Sequence, residues 1–144
     1  MSVDLSWLAR YRSSEPHFGL ERMEALLALR GNPHLACPVI HLAGTNGKGS
    51  TLAHLRSLLE AKGLRVGVFS SPYLVSFNEQ ISIDGIPISD RNVETYLSLY
   101  QELLAKNSSD QTLRGLTEFE LMTVMAFDYF AAKKPDVVVM EVGM

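Results

Sequence analysis

Apolar positions along this chain switch between helical and strand spacing, and the switches mark its elements. Val3 to Tyr11 places Leu5, Trp7 and Leu8 on one side of a short helix, which SSEPHFG breaks. Leu20, Met23, Leu26, Leu27 and Arg30 keep helical spacing, and Gly31-Asn32-Pro33 stop that second helix. Val39 to Ala43 is short and apolar, as buried parallel strands are. Leu52, Leu55, Leu58 and Leu59 form the inner stripe of a helix that ends near Lys62-Gly63, and Arg65 to Phe69 is the next strand. Strand, helix and strand make a βαβ unit, expected to cross over right-handed.

Ser70 to Asn78 is an irregular polar-aromatic loop containing Pro72. Glu79 to Ile88 alternates, and Asp84-Gly85 within it is a two-residue hairpin signal. Ser89 is placed to cap a long amphipathic helix carrying Val93, Tyr96, Leu97, Tyr100, Leu103 and Leu104. Asn107 to Gly115 reads as a solvated, mobile loop. Thr117-Glu118-Phe119-Glu120 is a capping box: the threonine hydroxyl serves the N3 amide, and the Glu120 carboxylate reaches back to the N-cap amide. Met122, Met125, Ala126, Tyr129 and Phe130 carry that helix inward, and Pro135 ends it. Asp136 to Val142 is an unbroken apolar run with one acid, Glu141, near its end. The pattern predicts an α/β fold, a mostly parallel sheet with helices on both faces.

Composition narrows the setting. The 144 residues suffice for one domain with a core, and 47% hydrophobic with 20% charged residues is ordinary for a globular chain. A formal net charge of −3 argues against a broad electrostatic grip on nucleic acid. The single cysteine, Cys37, excludes an internal disulfide and fits a reducing compartment. With no activating neighbour in sequence it reads as a buried small hydrophobe. No run is long and apolar enough to span a membrane, and the N-terminus lacks a secretory h-region. A cytoplasmic protein is expected.

The chemistry concentrates in PVIHLAGTNGKGST, Pro38 to Thr51. A strand, a glycine loop around Lys48 and a helix follow one another, which is what a phosphate needs. Backbone N–H groups point inward with no Cβ in the way, the helix offers its positive end, and the lysine neutralises charge. The general P-loop pattern is not met literally. Leu42 stands where its first glycine would be, and Gly49 separates Lys48 from Ser50 and Thr51. Gly44, Gly47 and Gly49 still free the backbone, Lys48 reaches the β/γ-phosphates, and Ser50 or Thr51 can touch a phosphate or Mg²⁺.

Glu141, at the carboxyl end of a buried strand, is either a Mg²⁺ contact beside that loop or an acid exposed where the strand emerges. The loop from Ser70 to Glu79 also starts at a strand's carboxyl end, so a hydroxyl there could ligate the same metal. It could equally be a connection with buried aromatics. The capping box accounts for Glu120, and substrate contact is the alternative. His17, His34, His41 and His54 show no ligand spacing, and His41, inside the apolar strand, reads as a core histidine.

HLAGTNGKGST, SSPYLVSFNEQI, LTEFE and VVVMEVGM, in this order, resemble the folylpolyglutamate synthase/dihydrofolate synthase family of Mur-ligase-like, ATP-dependent amide-forming ligases. The resemblance starts near Phe18. It implies that Thr45, Asn46, Gly47, Lys48, Gly49 and Ser50 cradle ATP phosphates, with Lys48 catalytic, and that Ser71 and Glu141 are Mg²⁺ ligands. It implies that Thr117, Phe119 and Glu120 help form a pterin/folate pocket bordered by the loop at Arg12 to Ser14. Gln80 stands where relatives often carry arginine.

The implied reaction joins L-glutamate to the carboxylate of dihydropteroate, a folate or a γ-linked folylglutamate through an acyl phosphate. The implied partners are these small molecules, with no nucleic acid and no membrane, and the full-length protein is expected to be a monomer. Residues 1–144 would be the N-terminal part of the ATP-binding domain, with the C-terminal domain absent. Such an incomplete chain is expected to bind ATP weakly and not to ligate. A non-catalytic nucleotide- or folate-binding module, another P-loop NTPase and a Mur-type ligase are the alternatives.

Overall fold

The computed structural model describes residues 3–12, 19–43, 48–70 and 76–141. Along the chain the helices are α1 (Ser6–Ala9), α2 (Glu21–Leu29), α3 (Lys48–Ala61), α4 (Asp90–Lys106) and α5 (Glu118–Lys133). The strands are β1 (Val39–Leu42), β2 (Val66–Ser70), β3 (Ile81–Ile83), β4 (Ile86–Pro87) and β5 (Val137–Glu141). The residues form two compact units, Met1–His34 with Asp90–Tyr129 and Leu35–Ser89 with Phe130–Met144.

The second unit holds the sheet. Among the described residues its order is β1-β5-β2-β3-β4, with β1, β5 and β2 parallel and β3 and β4 antiparallel. The βαβ connection expected from β1 through α3 to β2 is present, but β5 inserts between the two strands. Its four consecutive apolar residues suit that central place, flanked by a strand on each side. Alternation sends Val66, Val68, Val137 and Val139 to one face, where Ile40, Leu42, Leu52, Leu55 and Leu59 pack on them. On the other face Gly67 meets the end of α5, where an added Cβ would lie 2.8 Å from the Phe130 ring. Within this unit α3 therefore covers one face and the end of α5 meets the other.

Several expectations change here. Leu58 is 63% exposed, because it lies one position off the stripe that Leu52, Leu55 and Leu59 define. β1 is only half-buried. Ile40 and Leu42 face the core while Val39 and His41 are exposed, so His41 is not a core histidine. The alternating stretch starts later than expected. Phe77–Gln80 is a 3-10 turn, Gln80 is buried with its Nε2 donating to the Phe77 carbonyl at 3.2 Å, and all of β3 is buried. The hairpin is as expected: Asp84 (φ +50°) and Gly85 (φ +79°) both occupy the left-handed region that a type I′ turn requires. Cys37 is partly exposed; its thiol donates to the Phe130 carbonyl at 3.7 Å, and burial raises its pKa.

The first unit is helical and braced by ion pairs. Arg22 of α2 pairs with Glu120 of α5, and Arg30, capping α2, pairs with Asp128 of α5. Both pairs repeat after eight residues on both helices, so α2 and α5 run parallel and the pairs are rungs about 12 Å apart. Asp128, 5% exposed, also accepts from the Tyr100 hydroxyl of α4 at 2.5 Å. Burial and that carboxylate push the Tyr100 phenol far above its ordinary pKa. The stretch expected to be a solvated loop contains a 3-10 turn, Gln111–Leu113, capped by Asp110, and Leu113 is buried. The apolar Leu113 and Leu116 gave that segment something to bury.

Candidate functional site

Two places carry chemistry, one in each unit. In the second, the parallel register brings three strand ends into one row: Leu42 of β1, Glu141 of β5 and Ser70 of β2. Glu141 shares its face with Val137 and Val139, the face α3 covers. β1 ends at Leu42 and α3 opens at Lys48, so the N-terminus of this 14-residue helix lies at the same rim. No acid occupies its first turn. Among the described residues an added Cβ at Gly49 would meet nothing within 4 Å, and Gly49 and Ser50 are exposed. The rim thus combines a helix's positive end, open space over its first turn and a half-buried carboxylate, suited to an anion together with a hard cation.

Thr45, Asn46, Gly47 and Ser71 lie outside the described residues, as does the side chain of Lys48. Gly49 corrects one detail of the loop reading. Its backbone is ordinary helix, so nothing in the packing of the described residues requires a glycine there. Among the described residues no group of three or more His, Cys, Asp and Glu is gathered as a metal site, and Glu141 is the described acid at the rim.

The other place is a cavity of about 580 Å³ in the first unit. Its lining includes Tyr11 and Arg12 after α1, Leu20, Arg22 and Met23 at the start of α2, and Thr117, Phe119 and Glu120 at the start of α5. The capping box forms as read from sequence. The Thr117 N–H donates to Glu120 Oε1 at 3.0 Å, and the Glu120 N–H donates to Thr117 Oγ1 at 3.1 Å. The capping reading and the substrate-contact reading are therefore compatible, since both residues also line the cavity. Phe119 is 39% exposed despite being aromatic. Arg12 donates from Nε to Glu118 Oε2 at 2.6 Å.

Arg22 was not singled out from sequence. Its Nε and Nη2 donate to Glu120 Oε1 at 3.1 and 3.0 Å, and both side chains are about nine-tenths buried. The pair is 98 positions apart in sequence. Only the shared eight-residue spacing of Arg22 with Arg30 and of Glu120 with Asp128 could have suggested it.

No family model matches the chain. It is 48% identical over 129 residues to a dihydrofolate synthase/folylpolyglutamate synthase of Bacillus subtilis, covering 88% of this chain and 29% of that protein. A folylpolyglutamate synthetase structure from Lactobacillus casei superposes with a TM-score of 0.87 at 35% identity, over 96% of this chain and 35% of that one. The Mycobacterium tuberculosis folylpolyglutamate synthase complexed with ADP superposes with a TM-score of 0.84 at 38% identity, over 96% and 31%. The chain thus spans about 29% of the length of the curated relative. Its α/β unit is of the Mur-ligase-like class. Over that span the chain belongs to the folylpolyglutamate synthase/dihydrofolate synthase family.

Proposed function

We propose that this chain is the N-terminal part of the ATP-binding domain of a ligase that joins L-glutamate to the carboxylate of a folate or dihydropteroate. It supplies the nucleotide rim and the pterin cavity. The observation that carries the reading is the row Leu42–Glu141–Ser70 beside the opening of α3. Thr45 to Ser50 would hold the ATP phosphates, with Lys48 reaching the β/γ-phosphates, and Ser71 and Glu141 would hold Mg²⁺. The metal, when bound, offsets charge on the transferring phosphoryl group as the substrate carboxylate becomes an acyl phosphate for the glutamate amine to attack.

The chain's own part is binding and orientation. The N–H groups at the start of α3 favour the phosphate oxygens, and the open space over Gly49 lets them approach. Thr117, Phe119 and Glu120 would hold the pterin: Phe119 brings a partly exposed aromatic side chain to the cavity, and Thr117 and Glu120 offer polar atoms at the helix start. Among the described residues no helix is long and apolar enough to cross a membrane. The full-length protein is proposed to be a cytoplasmic monomer that does not act on nucleic acid.

Calorimetric titration of this chain with ATP and Mg²⁺ tests the reading. Weak, saturable binding that is lost without Mg²⁺ and in Lys48→Ala is expected. Binding indifferent to both would contradict it. Folate- and glutamate-dependent ADP release by this chain would contradict the narrower expectation that it does not ligate alone.

A further inference from the structure

Resting on the reading of the cavity as a pterin site, we infer that Arg22 is a positioning residue. It fixes Glu120 so that Oε2 selects a ring edge rich in N–H donors. Three donors converge on the other oxygen: Arg22 Nε at 3.1 Å, Arg22 Nη2 at 3.0 Å and the Thr117 N–H at 3.0 Å all reach Glu120 Oε1. Among the described residues Oε2 accepts from no group, yet it is not sealed from the surface, and Glu120 lines the cavity. The residue itself is only 7% exposed.

A capping box needs one carboxylate oxygen and no arginine. The two guanidinium hydrogen bonds to that same oxygen do something further: they lock the carboxylate and leave its acceptor capacity at Oε2. Asp128, one rung along, also gathers its donors on one oxygen, but it is not among the residues lining the cavity. Tyr11, Leu20, Met23, Phe119 and Met122 give the lining an apolar and aromatic part, while Arg12 and Glu118, also in the lining, pair with each other. In such surroundings an acceptor without a donor is costly, so a ligand is chosen by what it donates. A pterin presents adjacent donors, its 2-amino group and N3–H. A lumazine replaces that amino group by an acceptor oxygen.

The test is the ratio of affinities for 6-hydroxymethylpterin and 6-hydroxymethyllumazine, read by ligand fluorescence on this chain. Wild type is expected to prefer the pterin about tenfold or more. Glu120→Gln, which keeps the capping acceptor and adds a donor, should abolish or invert the preference. Arg22→Met should bring the ratio towards one, and Arg22→Lys should restore part of it. If Arg22→Met does not fold, Glu120→Gln decides.

A purely structural Arg22 would weaken both ligands by the same factor and leave the ratio intact, which would overturn the inference. So would a wild type that binds both ligands equally, although the cavity would remain a pteridine site. A wild type that binds neither ligand overturns the cavity reading and the inference with it.

Discussion

The two units hold themselves together by different means, and their acids differ accordingly. In the first, α2 and α5 are tied by two arginine–carboxylate rungs with buried carboxylates, and Glu120, which lines the cavity, is part of one. In the second, the sheet rests on valines and leucines, and Glu141 ends a strand with no ion-pair partner among the described residues. Where a candidate binding residue is also a brace, changing it moves stability and binding together. Where the fold stands on apolar packing, the residues at the rim are free to vary with little structural cost. That contrast says which substitutions report on function cleanly.

The sharpest way to break the contrast is to remove a rung that touches no candidate site. Asp128→Ala leaves Arg30 and the Tyr100 hydroxyl without their acceptor and should cost about 3–5 kcal/mol in urea unfolding. A loss under about 1 kcal/mol would mean that the rungs are incidental. The second unit should suffer instead from overpacking. Gly67→Ala sets a methyl against the buried Phe130 ring and should cost about 1–3 kcal/mol. A neutral result would show slack on that face of the sheet.

Gly49→Ala should run the other way. Its backbone is helical and its surroundings open, so the apo chain should gain about 0.5–1 kcal/mol. ATP affinity should fall at least about tenfold, because the new methyl occupies the phosphate's approach. Stability and binding both unchanged would remove the reason for the glycine. Smallest of all, Glu141→Gln should leave apo stability within about 0.5 kcal/mol.

Local signals in the chain were legible where the cause is local. Asp84-Gly85 requires a left-handed pair at a turn. Thr117 and Glu120 satisfy each other's amides three residues apart. Val137 to Met140, apolar throughout, becomes a strand flanked on both sides. What depends on partners far along the chain was not legible. Strand order is set when β5, read last, enters between β1 and β2. His41 is exposed because alternation turns it to the face of β1 opposite the one where Ile40 and Leu42 meet the core. The role of Asp128 exists only once Arg30 and Tyr100 are brought to it. Of the candidate site, Glu141 was singled out by its place at a strand end and Glu120 by its capping spacing, a pocket role for Glu120 being implied only by the family resemblance. Arg22 was missed, because its role exists only once α2 lies along α5.

The central claim is that the rim at Glu141 holds a metal–nucleotide pair. It is tested most directly by thermal unfolding of wild type and Glu141→Gln with ATP, in Mg²⁺ or in EDTA. Ligand that binds only the folded state raises the midpoint. The account predicts equal midpoints for the two apo chains, a rise in wild type with ATP and Mg²⁺ that EDTA removes, and little or no rise in Glu141→Gln. An equal, Mg²⁺-dependent rise in both would contradict it.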